Sequence, residues 1–285
     1  MYIIRDPKIL YNKVKKIHKK NNTIALIPTM GNLHLGHIKL IEVGQKNADK
    51  VIVSIFVNPM QFKNLNDSKK YPRSLKEDFK KLKLNNVDIV FCPRLKKMYL
   101  NNFIDQIFVN IPSSYNILES KNRPYHFKGV MTIVSKLFNI ISPEIACFGK
   151  KDFQQLFFIK KLVIQMNYNI QILGVPIVRD NDGLALSSRN ILLNSKERKI
   201  APEIYKTIKW ISKKINKNNL KNNNFLKKAY KNLVKHGFKI DILTIRDSKT
   251  LNKKLTKKTS SIIILCSAWI GKVRLIDNLE MLLKN

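Results

Sequence analysis

Two histidines, His34 and His37, stand three residues apart in the run PTMGNLHLGH that spans 28–37. At the first turn of a helix this spacing puts both rings on one side. Two adjacent imidazoles can donate hydrogen bonds to oxygens that carry charge in a transition state. Gly36 between them has no side chain, which would let a ligand lie against the backbone. The surrounding elements supply the setting. The apolar run 23–27 reads as a buried strand, 28–31 as a turn, and a helix should start near Leu35 with Leu35, Ile38 and Ile41 as its apolar stripe. Such a turn aims free backbone N–H groups and the positive end of a helix dipole at one point, which suits a phosphate. An isolated HxxH run is more often a turn with surface histidines, but strand, turn and helix in register favour a site.

Other polar groups follow apolar runs in the same way. Asn58-Pro59-x-Gln61-Phe62 sets two amides past a strand end, where they bind hydroxyls or a carboxylate, or simply shape a loop. Gly149-Lys150-Lys151-Asp152 stands at a strand-to-helix junction. Its N–H groups and ammonium charges suit phosphate, and Asp152 either caps the helix or accepts from ribose hydroxyls. Of Gln154 and Gln155, only one can face a cleft. Ser187-Ser188-Arg189-Asn190, behind a flexible, turn-rich segment, either closes two hydroxyls and a guanidinium over a triphosphate or caps a helix. His126 and Arg123 in RPYHF either bind an anion or sit in a loop. No spacing of histidines and carboxylates suggests a protein metal cage, so a divalent ion should arrive with nucleotide phosphates.

The elements that must position these groups alternate. The run 51–57 is apolar on both faces, as in a central parallel strand. Then 71–84 reads as a charged helix, 87–91 and 107–111 as strands, and 130–141 as a helix with one apolar face. A strand at 145–148, a helix over 152–166 and a strand at 170–175 follow. This alternation predicts an α/β fold with a doubly wound parallel sheet and its ligand at the carboxyl ends of the strands. Beyond Pro176 come two basic amphipathic helices, near 195–215 and 223–236, and strands near 239–245, 261–266 and 272–277. The lysine-rich stretches 213–224 and 249–259 read as exposed connections. The expected division is a Rossmann-like domain over 1–180 and a smaller α+β domain over 181–285 that closes over the site.

With 285 residues, 44% of them hydrophobic, the chain can build a core. Its formal charge is +35, from 54 Lys and Arg against 19 Asp and Glu. Such an excess usually points to nucleic acid or a membrane surface. Here the lysines are scattered through nearly every segment beside many asparagines, which reads as compositional bias and not as a binding footprint, so no specific nucleic acid is expected. The three cysteines, Cys92, Cys147 and Cys266, lie far apart in apolar surroundings, as buried reduced thiols do. No run reaches the ~18 apolar residues of a membrane span, and Arg5 and Asp6 interrupt any signal peptide. The expected location is the cytoplasm, with no membrane partner.

Seven segments together, PTMGNLHLGH, FVNPMQF, YPRSLKED, RPYHFKGV, ACFGKKDFQQL, VRDNDGLALSSRN and RLIDN, are similar to those of the pantoate–β-alanine ligase family, in the family's order and spacing. That family belongs to the nucleotidylyltransferase group whose HxGH turn binds ATP. The resemblance implies that ATP with Mg2+ activates (R)-pantoate as pantoyl adenylate, releasing pyrophosphate, and that β-alanine then displaces AMP to give pantothenate. It implies an ATP site of Met30, Gly31, Asn32, Leu33, His34, Leu35, Gly36, His37, Gly149, Lys150, Lys151, Asp152, Val178, Leu186, Ser187, Ser188 and Arg189. His34, His37 and Lys151 would be catalytic, with His37 the proton donor. Gln61 and Gln155 would hold pantoate, with Gln61 also beside β-alanine. A homodimer is implied as well. Asn32, Tyr125 and Lys150 depart from the family's usual alanine, glycine and glutamate.

Overall fold

The computed structural model describes residues 1–99, 105–216, 224–256 and 258–283. The chain divides into two compact units, Met1–Lys150 with Gln154–Pro176, and Lys151–Phe153 with Ile177–Asn285. The first carries β1 (Tyr2–Ile4), α1 (Pro7–His18), β2 (Ile24–Thr29), α2 (Leu35–Asn47), β3 (Lys50–Ile55), α3 (Leu65–Lys69) and α4 (Leu75–Leu84). It continues through β4 (Ile89–Phe91), α5 (Leu95–Met98), α6 (Glu119–Asn122), α7 (His126–Ile141), β5 (Ile145–Gly149), α8 (Phe153–Gln165) and β6 (Gln171–Val175). The six strands are parallel in the order β1-β4-β3-β2-β5-β6. The order reverses between β2 and β5, and at such a switch point the loops leaving the two strands diverge and open a crevice. The HxGH turn leaves β2, and Gly149 ends β5.

The core explains the phase of α2. Leu40 and Ile41 pack with Ala25, Ile27, Val51, Val53, Leu82 and Cys147 on one face of the sheet. Gly44 makes the closest approach, where an added Cβ would stand 3.1 Å from Ile27 Cδ1 and 3.2 Å from Ala25 Cβ. Leu35 lies nine residues earlier, half a turn out of phase at about 100° per residue. It is therefore 69% exposed and does not belong to the expected stripe.

Two other expectations fail, and two elements were not read from the sequence. Residues 107–111 form no strand; Val109 N–H instead donates to Thr132 Oγ1 of α7 at 3.0 Å. The place beside β4 is taken by β1, a pairing not read from the sequence. The following α1 was also missed, although Asp6 caps it by accepting from Lys8 N–H at 2.9 Å and Pro7 starts it. The charged helix begins at Leu75, not Tyr71.

The second unit holds α9 (Ser195–Ile200), α10 (Glu203–Lys214) and α11 (Asn224–Lys235), with β7 (Lys239–Asp247), β8 (Ser261–Ile270) and β9 (Val273–Leu282) in an antiparallel sheet of order β7-β8-β9. The single helix expected over 195–215 is two, because Pro202 has no N–H to continue the ladder and starts α10 instead. Ile204, Ile208 and Ile211 of α10 and Leu233 of α11 bury against Ile262, Ile264 and Cys266 of β8. Residues 217–223 and 257, within the expected lysine-rich connections, lie outside the described residues. Among the described residues no helix is long and apolar enough to cross a membrane.

Burial pushes the Cys147 thiol up to about 11 and that of Cys266 up to about 12, while Cys92 is raised and only half-buried. A thiol whose pKa is raised stays protonated at pH 8 and does not attack. In the folded protein a disulfide reagent at pH 8 is therefore expected to reach Cys92 slowly, and Cys147 and Cys266 only after denaturant. Rapid titration of more than one thiol in the native state would contradict this packing.

Candidate active site

The turn after β2 is built by side chains that occupy its backbone. Gly31 and Asn32 have φ of +80° and +51°. This left-handed pair exposes the following amides to one acceptor. That acceptor is Asp78 of α4, fully buried, whose Oδ2 takes Asn32 N–H at 2.9 Å and Oδ1 takes Leu33 N–H at 2.8 Å. Lys81 Nζ donates to Leu33 O at 2.6 Å, and Ser74 Oγ to Asp78 Oδ1 at 3.2 Å. Gly31 N–H donates to Thr29 Oγ1 at 3.2 Å, and Thr29 Oγ1 to Ser54 O at 2.8 Å.

The two histidines then cap α2. His34 Nδ1 accepts from Gly36 N–H at 3.1 Å, and His37 Nδ1 accepts from His34 N–H at 3.2 Å. Their ring centroids are 4.1 Å apart with planes at 47°. The expected side-by-side pair is present, and its tautomer follows. A neutral imidazole that accepts at Nδ1 carries its proton on Nε2, the nitrogen turned away from the cap.

Two expectations about the turn need correction. The N–H groups of Gly31, Asn32, Leu33, His34, Gly36 and His37 are already bonded within the protein, so the turn does not present them bare to an anion. Gly36 does not leave room for a ligand either. A Cβ there would stand 2.8 Å from His34 Cε1, so the glycine accommodates the capping ring.

Beside this turn, Gln61 is 8% exposed and its Nε2 lies 3.0 Å from Met30 Sδ. Asn58 Nδ2 donates to Gly129 O at 2.9 Å, and Tyr99 OH donates to Asn58 Oδ1 at 2.9 Å, fixing the loop that carries Gln61. Burial, outweighing the Asn58 hydrogen bond, raises the Tyr99 phenol so that it stays a donor. His126 and Arg123, left open by the sequence, both meet Gln61 O, at 3.0 and 3.4 Å. A carbonyl only accepts, so His126 carries its proton on Nδ1. Gln154 is spent on Glu119 N–H at 2.9 Å and Ile117 O at 2.9 Å, which leaves the half-buried Gln155 as the glutamine for a cleft. Lys150 lays its methylenes along Gly174 of β6. Tyr125 is exposed.

In the second unit the segment 178–189 is a pinned hairpin, not a loose strap. Leu186 N–H donates to Val178 O at 3.0 Å, and Arg198 holds both Asp180 and Asp182. Arg179 makes a bidentate pair with Asp277 at 2.7 and 2.8 Å and stacks over Tyr205, 3.7 Å from its centroid. Asn278 Nδ2 donates to Lys151 O at 2.9 Å. Lys151, Ser187, Arg189, Asn190, Arg274 and Asp277 line one crevice. Ser187 Oγ accepts from Arg189 N–H at 3.2 Å, and Asn190 Oδ1 is buried with no hydrogen-bond partner among the described residues. Asp152 is exposed at the junction. Arg274, steadied by Asp241 at 2.6 Å and Ser267 at 2.9 Å, is a third cation here that the sequence reading passed over, although RLIDN contains it.

A family model described as pantoate-beta-alanine ligase matches residues 2–280. The pantothenate synthetase of Wigglesworthia glossinidia brevipalpis is 49% identical over 99% of this chain and 99% of its own. Among solved structures, pantothenate synthetase from Thermus thermophilus superposes with a TM-score of 0.87 at 32% identity, covering 98% of this chain and 99% of that one. A pantoate-beta-alanine ligase from Francisella tularensis, described as complexed with beta-gamma ATP and beta-alanine, has a TM-score of 0.80 at 36% identity and covers 98% and 97% of the two chains.

The Arg179–Asp277 pair ties the hairpin to β9 with side chains 17% and 4% exposed. Removing one partner of a buried ion pair strands the other charge, which costs about 3 kcal/mol. Asp277→Asn is expected to lower stability by that amount, read as a shift of the urea midpoint at unchanged slope. A shift worth under about 0.5 kcal/mol, the size of an ordinary surface change, would contradict the pairing.

Proposed function

The chain belongs to the pantoate–β-alanine ligase family, and we propose how its residues divide that family's reaction, the ATP-dependent condensation of (R)-pantoate with β-alanine to pantothenate. The pantoate carboxylate attacks the α-phosphorus of ATP; a P–O bond forms, the bond to the β-phosphate oxygen breaks, and pyrophosphate leaves. The amine of β-alanine then attacks the acyl carbon of pantoyl adenylate. A C–N bond forms, the acyl C–O bond to AMP breaks, and the amine gives up a proton.

Both partners of the first step are anions, so the enzyme must cancel charge and fix geometry before bonds move. The single observation that carries this reading is the capped histidine pair. With both Nδ1 atoms accepting from backbone N–H groups, His34 and His37 present Nε2–H to phosphate oxygens as hydrogen-bond donors, and the proton-donor role that the family resemblance gives His37 is met in this neutral form by a hydrogen bond and not by release of the proton. Gln61 and Gln155 hold pantoate, with Gln61 also beside β-alanine. Lys151 supplies charge during transfer. Gly149, Lys150 and Asp152 serve the ribose and phosphates, Val178 the adenine, and Leu186, Ser187, Ser188 and Arg189 the triphosphate. The binding of ATP and β-alanine reported for the Francisella relative supports these ligands for this chain.

Among the described residues no group of three or more His, Cys, Asp or Glu side chains could hold a metal ion. Mg2+ enters this reading as an ion carried by the nucleotide, where it supplies positive charge to phosphate oxygens. A cytoplasmic homodimer completes the proposal.

Incubation with ATP, Mg2+, pantoate and β-alanine is expected to yield pantothenate, AMP and pyrophosphate in equal amounts. Product without AMP, or AMP release that ignores pantoate, would refute the reaction. His37→Ala is expected to fold normally and to lose roughly 100-fold or more in pantoate-dependent ATP–pyrophosphate exchange. A variant within a few-fold of wild type removes His37 from the mechanism.

A further inference from the structure

We propose that Asp78, with Lys81, is a positioning residue for the histidine pair: α4 holds the backbone just ahead of His34 so that the His37 ring, which rests on His34 N–H, keeps its capped tautomer. The inference rests on the reading of His34 and His37 as the phosphate-binding groups.

Both oxygens of Asp78 act as acceptors, as an ionised carboxyl does, although the side chain is 0% exposed. A buried carboxylate is costly unless its lone pairs are filled. Here they are filled mainly by the amides of Asn32 and Leu33, from 46 and 45 residues away in sequence. The first turn of α4 adds a favourable helix dipole for the charge. Lys81, one turn further on, takes the carbonyl of the same Leu33. Thus two side chains of one helix fix the N–H and the C=O of the residue before His34.

The Leu33 peptide leads directly into the His34 N–H on which the His37 ring rests. If Leu33 rotates, His34 N–H turns away from His37 Nδ1, and that ring loses the bond that selects its Nε2–H form. A contribution to core packing alone has no such consequence, since α4 already anchors itself through Leu82.

The full-length protein labelled with 15N-histidine reports the tautomer of each of its five rings through two-bond 1H–15N correlations. In wild type, His34 and His37 are expected as Nε2–H forms and His126 as an Nδ1–H form. Asp78→Asn offers an amide nitrogen that cannot accept, so one of the two backbone N–H groups loses its partner. The folded variant is expected to show an averaged tautomer at His37, with His34 held by Gly36 N–H, and at least a tenfold fall in kcat/KM of pantoate-dependent ATP–pyrophosphate exchange. Unchanged ring signals, or exchange within twofold of wild type, overturn the proposal.

Lys81→Met removes only the tie to Leu33 O and decides the matter if Asp78→Asn does not fold. It is expected to move the His37 ring signal and lower exchange three- to tenfold, and an unchanged spectrum with unchanged exchange overturns the proposal equally. If the wild-type protein shows no exchange at all, the functional reading fails while the ring spectra still decide whether Asp78 sets the tautomer.

Discussion

An imidazole that accepts a hydrogen bond at Nδ1 has only Nε2 left to bear its proton, and the start of α2 imposes this on two rings at once. His34 closes on Gly36 N–H and His37 on His34 N–H, at 3.1 and 3.2 Å. The backbone needs these acceptors, because the first N–H groups of a helix have no partner within it. On the proposed reading, helix capping and preparation of the rings for an anion are one interaction. The glycine, the left-handed residues and the buried carboxylate around it all serve that geometry.

This changes the picture of how the turn meets phosphate. In many nucleotide sites, bare amides at a helix start cradle the anion. Here Thr29, Asp78 and the two histidines occupy the amides, and on the proposed reading side-chain N–H groups take their place. Side chains can be matched to charge that develops during transfer, and neutral imidazoles do so without neutralising the attacking carboxylate beforehand. Within the second unit, Asn278 holds the Lys151 carbonyl and Asp277 holds the Arg179 hairpin. In each unit the charged or donating side chain is steadied through the backbone that carries it.

Much of this was legible in the sequence because it is local. The apolar run before Pro28, the HxGH spacing and the βα alternation depend on neighbours a few residues apart, so the parallel sheet and the paired rings could be read directly. Long-range partners could not be read. Asp78 lies beyond α2, β3 and α3 from the amides it holds, and in sequence it is one more acidic residue in a charged helix. The purpose of Gly36 was misread because the His34 rotamer above it has no sequence signal. The exposure of Leu35 depends on where Gly44 lets α2 approach β2. The missed β1 and α1 are a different case: Asp6-Pro7 is a legible helix start, but β1 is only three residues long and α1 buries only Leu10 and Val14 among its lysines, so neither has a strong apolar period.

The most direct measurement is a titration of the 15N-histidine-labelled protein with ATP and Mg2+, following all five ring signals. The account predicts that His34 and His37 move together, keep their Nε2–H pattern and saturate at one nucleotide concentration, while His18 and His236 stay fixed. Saturation of binding without any change at His34 and His37, or conversion of either ring to the Nδ1–H form, would contradict it.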